Sequence, residues 1–125
     1  MKTQRIAVVG ASTHREKFGN KAVRAYHHAG WEVFPVHPRA ASIEGLKAYP
    51  SLAEVPGDVD RISVYLPPAT THSLLDDFVA KGTAELWLNP GASNPGVSAA
   101  ARAAGLPVVD GCSIVAIGLS PGQFS

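Results

Sequence analysis

The segment Arg5–Ser12, which reads RIAVVGAS, constrains the fold of this chain more than any other stretch. Its apolar run Ile6–Val9 is typical of a strand buried on both faces, as in a parallel sheet. Gly10 follows directly, and a glycine there allows a sharp turn and the close approach of a ligand to the backbone. Backbone N–H groups at such a turn, together with the N-terminus of the next helix, form a site for phosphate. The opening of the chain therefore predicts an α/β protein that binds a nucleotide.

The composition indicates a single domain over residues 1–125. Hydrophobic residues make up 46% of the sequence and charged residues 17%, which is typical of a folded protein rather than a disordered one. A net charge of +1 without a long basic run argues against nucleic-acid partners. The single cysteine, Cys112, excludes an internal disulfide and fits a reducing compartment. Because no apolar run reaches the length of a membrane span and no signal peptide is evident, we expect a cytoplasmic protein without a membrane partner.

Strand-like and helix-like patterns alternate along the chain. We expect strands at 5–9, 31–36, 61–66, 84–88 and 107–109. Helices are expected at 19–29, from Thr70 or Thr71 to Lys81, and at 95–104 behind an Asn94 cap, with one helical turn at 51–55 in which Ser51 and Glu54 form a capping box. This order predicts an α/β fold, namely one Rossmann-like domain with a five-stranded parallel sheet and helices on both faces. Residues 40–49 are expected to form a loop, and the tail from Gly118 to be loose.

The loop after the first strand carries the strongest candidates for ligand contact. It does not match the GxGxxG dinucleotide fingerprint, because it is longer. We expect Gly10, Ala11 and Ser12 to contact phosphate, whereas Lys17 is explained equally well as an ordinary surface charge. Gly19 opens the next helix, so that its free N–H groups point at an anion.

The end of the second strand discriminates between nucleotide classes. An NAD enzyme places an acidic residue there to bind the ribose hydroxyls, but this chain has His37, Pro38 and Arg39. A cation at this point suits an additional phosphate on the ribose, as in NADP or coenzyme A, and a plain surface arginine remains the alternative. Tyr65, Leu66 and Pro67 end the third strand, where they either wall a ligand or simply close the strand.

Other chemical constellations are weak in this sequence. The five histidines have no metal-binding spacing, so no metal site is expected. Neither a GxSxG elbow nor a catalytic carboxylate pair is present. Pro90-Gly91 predicts a turn after the fourth strand. Cys112 follows the fifth strand, and we favour a packing role for it over a reactive thiol.

Taken in order, several segments resemble one family. They are Ile6–Ser12, Lys17–Asn20, Gly30–Pro38, Ile43–Gly45, Tyr49–Leu52, Leu88–Ala92 and Gly111–Ser113. The chain resembles the small stand-alone CoA-binding proteins, which are similar to the CoA-binding domain of the succinyl-CoA synthetase alpha subunit. The resemblance covers almost the whole chain, and it depends on the order and spacing of the segments rather than on any one motif.

The resemblance implies a fold that holds coenzyme A and a set of contact residues. The pyrophosphate would be held by Gly10, Ala11, Ser12, Lys17 and Gly19, with Asn20 in the same motif. The adenosine would be flanked by His37, Pro38 and Arg39, where the family often has Asn-Pro-Lys. The nucleotide would be bordered by Tyr65, Leu66 and Pro67, and the pantetheine path would be lined by Pro90 and Gly91. The synthetases also use a phosphohistidine in a second domain that has no counterpart in these residues, so ligase activity is not implied.

The leading hypothesis is therefore a stand-alone module that binds coenzyme A or an acyl-CoA, for its own use or for an unidentified protein partner. We expect a binding protein rather than an enzyme, because the chain shows no complete catalytic constellation. Two alternatives stay open from the residues alone. An NADP-dependent oxidoreductase would explain Arg39, and a ligand-free interaction domain would need no site at all.

Overall fold

A computed structural model of the chain describes residues 3–125. Within them the strands are β1 Arg5–Val9, β2 Glu32–Val36, β3 Ser42–Ile43, β4 Leu46–Lys47, β5 Arg61–Val64, β6 Glu85–Leu88 and β7 Val108–Asp110. The α-helices are α1 Phe18–His28, α2 Pro68–Ser73, α3 Leu75–Lys81 and α4 Pro95–Ala103. Short 3₁₀ turns lie at Leu52–Glu54, Val115–Ile117 and Pro121–Phe124.

Five strands form one sheet in the order β2-β1-β5-β6-β7. All neighbours in it are parallel, and Val9 at the end of β1 lies opposite Val36 on one side and Val64 on the other. The prediction of a five-stranded parallel sheet is confirmed. Because β2 and β5 flank β1, the direction in which strands are added reverses at β1. In open α/β sheets, ligands bind at this switch point, outside the carboxyl ends of the strands.

Helices cover both faces of the sheet, as the sequence predicts. Along β1, successive side chains alternate between the faces, as strand geometry requires. Val9 belongs to a buried cluster with Phe78 of α3, on the face that also carries α4. Val8 belongs to the opposite cluster with Val23 and Tyr26 of α1. The strand is therefore apolar throughout because each of its faces has a core of its own.

The start of α4 shows how local signals fix a helix in this chain. Asn94 is the N-cap, and its side chain accepts a hydrogen bond of 2.9 Å from the backbone N–H of Val97. Pro95 follows at the first helical position, where its missing N–H costs nothing. Gly105, with φ of +84°, lies just beyond the end of the helix. The Asn94 cap predicted from the sequence is confirmed.

The region 40–49 is not a simple loop, contrary to expectation. It contains a small antiparallel hairpin in which β3 pairs with β4. Glu44 and Gly45 link the strands with φ of +51° and +77°. Positive φ at both central residues matches the right-handed twist of a two-residue hairpin. The strands have two residues each and show no alternating pattern long enough to detect.

Two predicted helix starts are also wrong. Ser51 makes no side-chain capping hydrogen bond, so the capping box at 51–55 does not form. The third helix begins at Pro68 rather than behind Thr70 or Thr71, and Leu74 divides it into α2 and α3. The hydroxyl of Thr71 donates instead to the carbonyl of Pro67 at 3.2 Å, one turn back. A proline at the first helical position is favourable, so Pro68 starts the helix.

The C-terminal segment is held in place rather than loose. Ser120 forms a capping box with Gln123 at the start of the turn Pro121–Phe124. Arg24 of α1 donates a hydrogen bond of 2.5 Å to the carbonyl of Phe124. The ring of Phe124 also packs against the core cluster on the α1 face. The expectation from the glycine- and serine-rich composition is therefore wrong, because distant contacts with α1 order this segment.

Candidate functional site

A cleft of about 650 Å³ opens at the switch point of the sheet. Its floor and one wall come from the ends of β1, β2 and β5, and the opposite wall from segments before and after β5. The lining residues are Val9, Gly10, Ala11, Ser12, His14, Lys17, Val36, His37, Pro38, Pro50, Ser51, Leu52, Ala53, Tyr65, Leu66, Thr70, Leu74, Asp77 and Phe78. Eight of the residues predicted from the sequence therefore lie together around one cavity: Gly10, Ala11, Ser12, Lys17, His37, Pro38, Tyr65 and Leu66.

Two glycines bring the start of α1 against the end of β1. A Cβ atom on Gly19 would lie only 2.1 Å from the carbonyl oxygen of Gly10. A Cβ atom on Gly10, which has φ of +89°, would lie 2.6 Å from the carbonyl oxygen of Tyr65. Both positions therefore require glycine, because backbone atoms of a neighbouring segment occupy the space that a Cβ atom would need. The sequence predicts a sharp turn and the close approach of a ligand at Gly10; the structure adds that a side chain there would collide with Tyr65.

The helix α1 begins at the edge of this cleft. Lys17 is the N-cap residue and lines the cleft, and it makes no side-chain capping hydrogen bond. The first turn contains no acidic residue that would neutralise the helix dipole. The hydroxyl oxygen of Ser12 accepts from the N–H of His14 at 3.0 Å, which leaves the hydroxyl hydrogen free to donate. These groups form an electropositive corner suited to an anion.

A polar cluster behind the loop holds this corner in shape. Asn20 is fully buried, and its amide donates to the carbonyl of Ser12 at 2.9 Å and to the carboxylate of Glu44 at 3.1 Å. Arg24 donates to the side-chain oxygen of Asn20 at 2.7 Å and to the carbonyl of Arg15 at 2.7 Å. The structure places Asn20 beneath the loop and outside the lining of the cleft. Asn20 and Gly19 therefore support the corner from behind.

The end of β2 contributes one ring and one apolar wall. His37 accepts two backbone N–H groups at its Nδ1, from Arg39 at 3.0 Å and from Ala40 at 2.9 Å. In the neutral ring the proton is then on Nε2, which can act as a hydrogen-bond donor. Pro38 lines the cleft beside it, whereas Arg39 is exposed and lies outside the lining.

The other wall of the cleft is mostly apolar, and the sequence did not identify it. Leu52, Leu74 and Phe78 are among its side chains, and Asp77 of α3 is its one carboxylate among the residues that the structure describes. Asp77 is exposed and lies in the first turn of α3. These residues reach the cleft only through tertiary packing, so no local pattern marks them.

Tyr65 connects the cleft to a buried polar network. Its hydroxyl lies 3.1 Å from the hydroxyl of Ser113, which in turn lies 2.7 Å from that of Ser63. Asn89 donates to Ser63 at 2.9 Å and accepts the backbone N–H of Ser113 at 2.8 Å. Burial raises the pKa of Tyr65 to about 12. The phenol is therefore neutral over the physiological range and acts as a fixed hydrogen-bonding group.

Pro67, Pro90 and Gly91 lie outside this cleft. Pro67 is the N-cap residue of α2. Pro90 and Gly91 line a second cavity of about 660 Å³, which we call the α4 cavity. It lies at the carboxyl ends of β6 and β7, beside α4, and is bounded by Leu88, Asn89, Pro90, Gly91, Ser93, Asn94, Pro95, Ser98, Ala99, Arg102, Asp110 and Gly111. Cys112 is half-buried and packs against the core on the α1 face.

Residues 3–125 show neither a metal-binding cluster nor a membrane-spanning helix. No group of three or more His, Cys, Asp or Glu side chains there is arranged to hold a metal ion. No helix in the same part of the chain is long and apolar enough to cross a membrane.

Comparison with known proteins identifies one family and several similar proteins. The family model described as "CoA binding domain" matches residues 4–118. The uncharacterized protein YneT of Bacillus subtilis is 29% identical over 93 residues, which span 74% of this chain and 69% of that protein. The alpha subunit of the ADP-forming acetate–CoA ligase II of Pyrococcus furiosus is 35% identical over 78 residues, which span 62% of this chain but only 17% of the subunit. Among solved structures, a conserved hypothetical protein from Pyrococcus furiosus superimposes with a TM-score of 0.81 at 34% identity, covering 90% of this chain and 98% of that one.

Proposed function

Since the chain belongs to the family of CoA binding domains, we propose that it binds coenzyme A, free or acylated, in the cleft at the ends of β1, β2 and β5. The single observation that carries the proposal is the composition of that cleft. An electropositive corner and an apolar wall face each other across about 650 Å³. A nucleotide diphosphate needs both, because its phosphates are anionic and its base is a flat, largely apolar ring.

The diphosphate is assigned to the electropositive corner. There the N–H groups of the first turn of α1 and the hydroxyl of Ser12 donate to phosphate oxygens, and Lys17 supplies a full positive charge. The hydrogen bonds of buried Asn20 and half-buried Arg24 fix the shape of the corner. Such a preformed corner lowers the ordering cost of binding.

The adenosine is assigned to the β2 side of the cleft. Pro38 and Leu52 offer apolar surface there, and the free Nε2 of His37 offers one donor. Arg39 is adjacent to Pro38 on an exposed turn. The additional phosphate on the ribose of coenzyme A would be held by this arginine, although its side chain does not line the cleft in the free protein.

A ligand titration followed by calorimetry and thermal shift tests the proposal. We expect coenzyme A to bind and to raise the melting temperature, because a ligand that binds only the folded state stabilises it. Lys17→Met should weaken binding roughly tenfold, as expected for the loss of one exposed charge-assisted hydrogen bond. Lys47→Met is the matched control, because it removes the same charge from the exposed strand β4, outside the cleft.

Three results would contradict the proposal. One is the absence of any melting shift with coenzyme A at millimolar concentration. Another is an equal loss of affinity in Lys17→Met and Lys47→Met, which would indicate a general charge effect. A rise in melting temperature with NADPH but none with coenzyme A would instead favour the NADP-dependent oxidoreductase.

A further inference from the structure

The order of the strands predicts the direction in which an extended ligand would cross the edge of the sheet. Adenosine lies at β2 and the diphosphate at β1 in the proposed arrangement, and the order continues through β5 to β6 and β7. Neighbouring strands are about 4.8 Å apart. The pantetheine arm, leaving the diphosphate in the same direction, therefore passes Tyr65 and Leu66 at the end of β5 and reaches the end of β6.

The α4 cavity begins where that arm ends. Val64 of β5 lies opposite Leu88 of β6, so the residues that follow them, Tyr65 and Asn89, are neighbours at the sheet edge. The amide of Asn89 donates to the carbonyl of Val64 at 2.9 Å and fixes this junction. Tyr65 lines the main cleft and Asn89 lines the α4 cavity. The two cavities therefore have lining residues on either side of this junction.

The polar groups of the α4 cavity are already paired with one another. Ser93 and Ser98 share a hydrogen bond of 2.8 Å, and Ser98 donates to Asp110 at 2.8 Å. Arg102 forms an ion pair with the other carboxylate oxygen of Asp110 at 2.9 Å. Because the Arg102–Asp110 pair carries no net charge, a carboxylate on the ligand would meet the negative Asp110 as well as the positive Arg102. The rest of the lining is mainly apolar and includes Leu88, Pro90, Pro95 and Ala99.

We propose that the α4 cavity binds the acyl group of an acyl-CoA, and that it prefers uncharged aliphatic acyl chains. This inference rests on the proposed function, since coenzyme A must occupy the main cleft for its thiol end to reach β6. The volume of about 660 Å³ is larger than a two-carbon acyl group needs, so longer chains bury more surface. Each buried methylene should tighten binding roughly two- to fourfold in a cavity that is partly open to water.

The test is a calorimetric series with coenzyme A, acetyl-CoA, butyryl-CoA, hexanoyl-CoA and succinyl-CoA. It uses the wild type, Ala99→Trp, which places a bulky ring at the lining of the cavity, and Ala103→Trp as the matched control. Ala103 is exposed on the same helix one turn later and does not line the cavity. In the wild type and in Ala103→Trp, affinity should rise from acetyl to butyryl to hexanoyl, and succinyl should bind more weakly than butyryl. In Ala99→Trp the rise should disappear while the affinity for coenzyme A is unchanged.

Each contrary result has a distinct meaning. Equal affinities along the wild-type series would overturn the inference and leave the proposed function standing. A rise that persists in Ala99→Trp would place the acyl chain elsewhere. Succinyl-CoA binding more tightly than butyryl-CoA would refute the preference for uncharged chains. No binding of coenzyme A to the wild type would refute the proposed function and this inference together.

Discussion

Replacing Gly19 with alanine tests the contact on which the candidate site is built. The added methyl carbon would lie 2.1 Å from the carbonyl oxygen of Gly10. Real Cβ atoms essentially never approach another heavy atom below 3.0 Å, so α1 must retreat from β1 by about 0.9 Å, and overpacking of this kind costs about 1–3 kcal/mol. For a chain of this length, 1 kcal/mol shifts the melting temperature by about 3–5 °C. We therefore expect Gly19→Ala to melt roughly 3–15 °C below the wild type.

Gly96→Ala is the matched control for this experiment. Gly96 is also a helical glycine near a helix start, but a methyl there would lie 3.5 Å from the side-chain oxygen of Asn94, an ordinary contact. Alanine favours helices over glycine, so Gly96→Ala should melt at the wild-type temperature or slightly above it. Differential scanning calorimetry of the three proteins measures the difference.

Gly19→Ala should also bind coenzyme A at least about tenfold more weakly, because the first-turn N–H groups move away from the phosphates. Titration well below the melting temperature of the variant separates this effect from unfolding. A Gly19→Ala protein that melts like Gly96→Ala would refute the close contact of α1 with Gly10. A destabilised variant with wild-type affinity would show that the first turn of α1 does not hold the ligand.

Three further predictions concern the cap, the buried phenol and the ribose phosphate. Asn94→Ala removes the side-chain cap of α4 and should cost about 1 kcal/mol in urea unfolding; no change would mean that the cap is not formed. Burial raises the pKa of Tyr65 to about 12 from 10.0, so the folded state favours the neutral phenol; this stabilisation is complete below pH 10 and is lost as the pH rises from 10 through 12. Between about pH 9 and pH 11.5 the free energy of unfolding should therefore fall more in the wild type than in Tyr65→Phe. An equal fall in the two proteins would contradict the raised pKa of Tyr65 as the cause. Arg39→Ala should reduce the preference for coenzyme A over dephospho-coenzyme A, and an unchanged preference in calorimetry would remove Arg39 from the site.

The parts of the fold that the sequence predicts are those with strong local signals. The central strand β1 is recognisable because both its faces are buried, so its apolar run is unbroken. The helix α4 is recognisable because Asn94, Pro95 and Gly105 stand at the positions that a helix start and end favour. In both cases the information lies within one element and needs no knowledge of its neighbours.

The parts that were missed depend on contacts between distant segments. The turn Pro121–Phe124 is ordered because the carbonyl of Phe124 accepts from Arg24, about a hundred positions earlier in the chain. The apolar wall of the cleft combines Leu52 with Phe78, which only the packing of α3 against the sheet brings together. Asn20 stands in a motif that suggests ligand contact, and the structure places it as a support because Glu44 of the hairpin and Arg24 surround it.

The loop after β1 shows why a motif search by spacing misses this kind of site. In the GxGxxG fingerprint, the first glycine makes the tight turn and the last allows close packing of the helix on the strand. Gly10 and Gly19 meet comparable needs here, since a Cβ on either would collide with backbone. The eight residues between them are free to bulge because Asn20 and Arg24 tie the loop to α1 from behind. The physical requirement is thus a pair of glycines whose Cβ positions are occupied by backbone. The number of residues between them sets only which side chains, here Ser12 and Lys17, line the cleft.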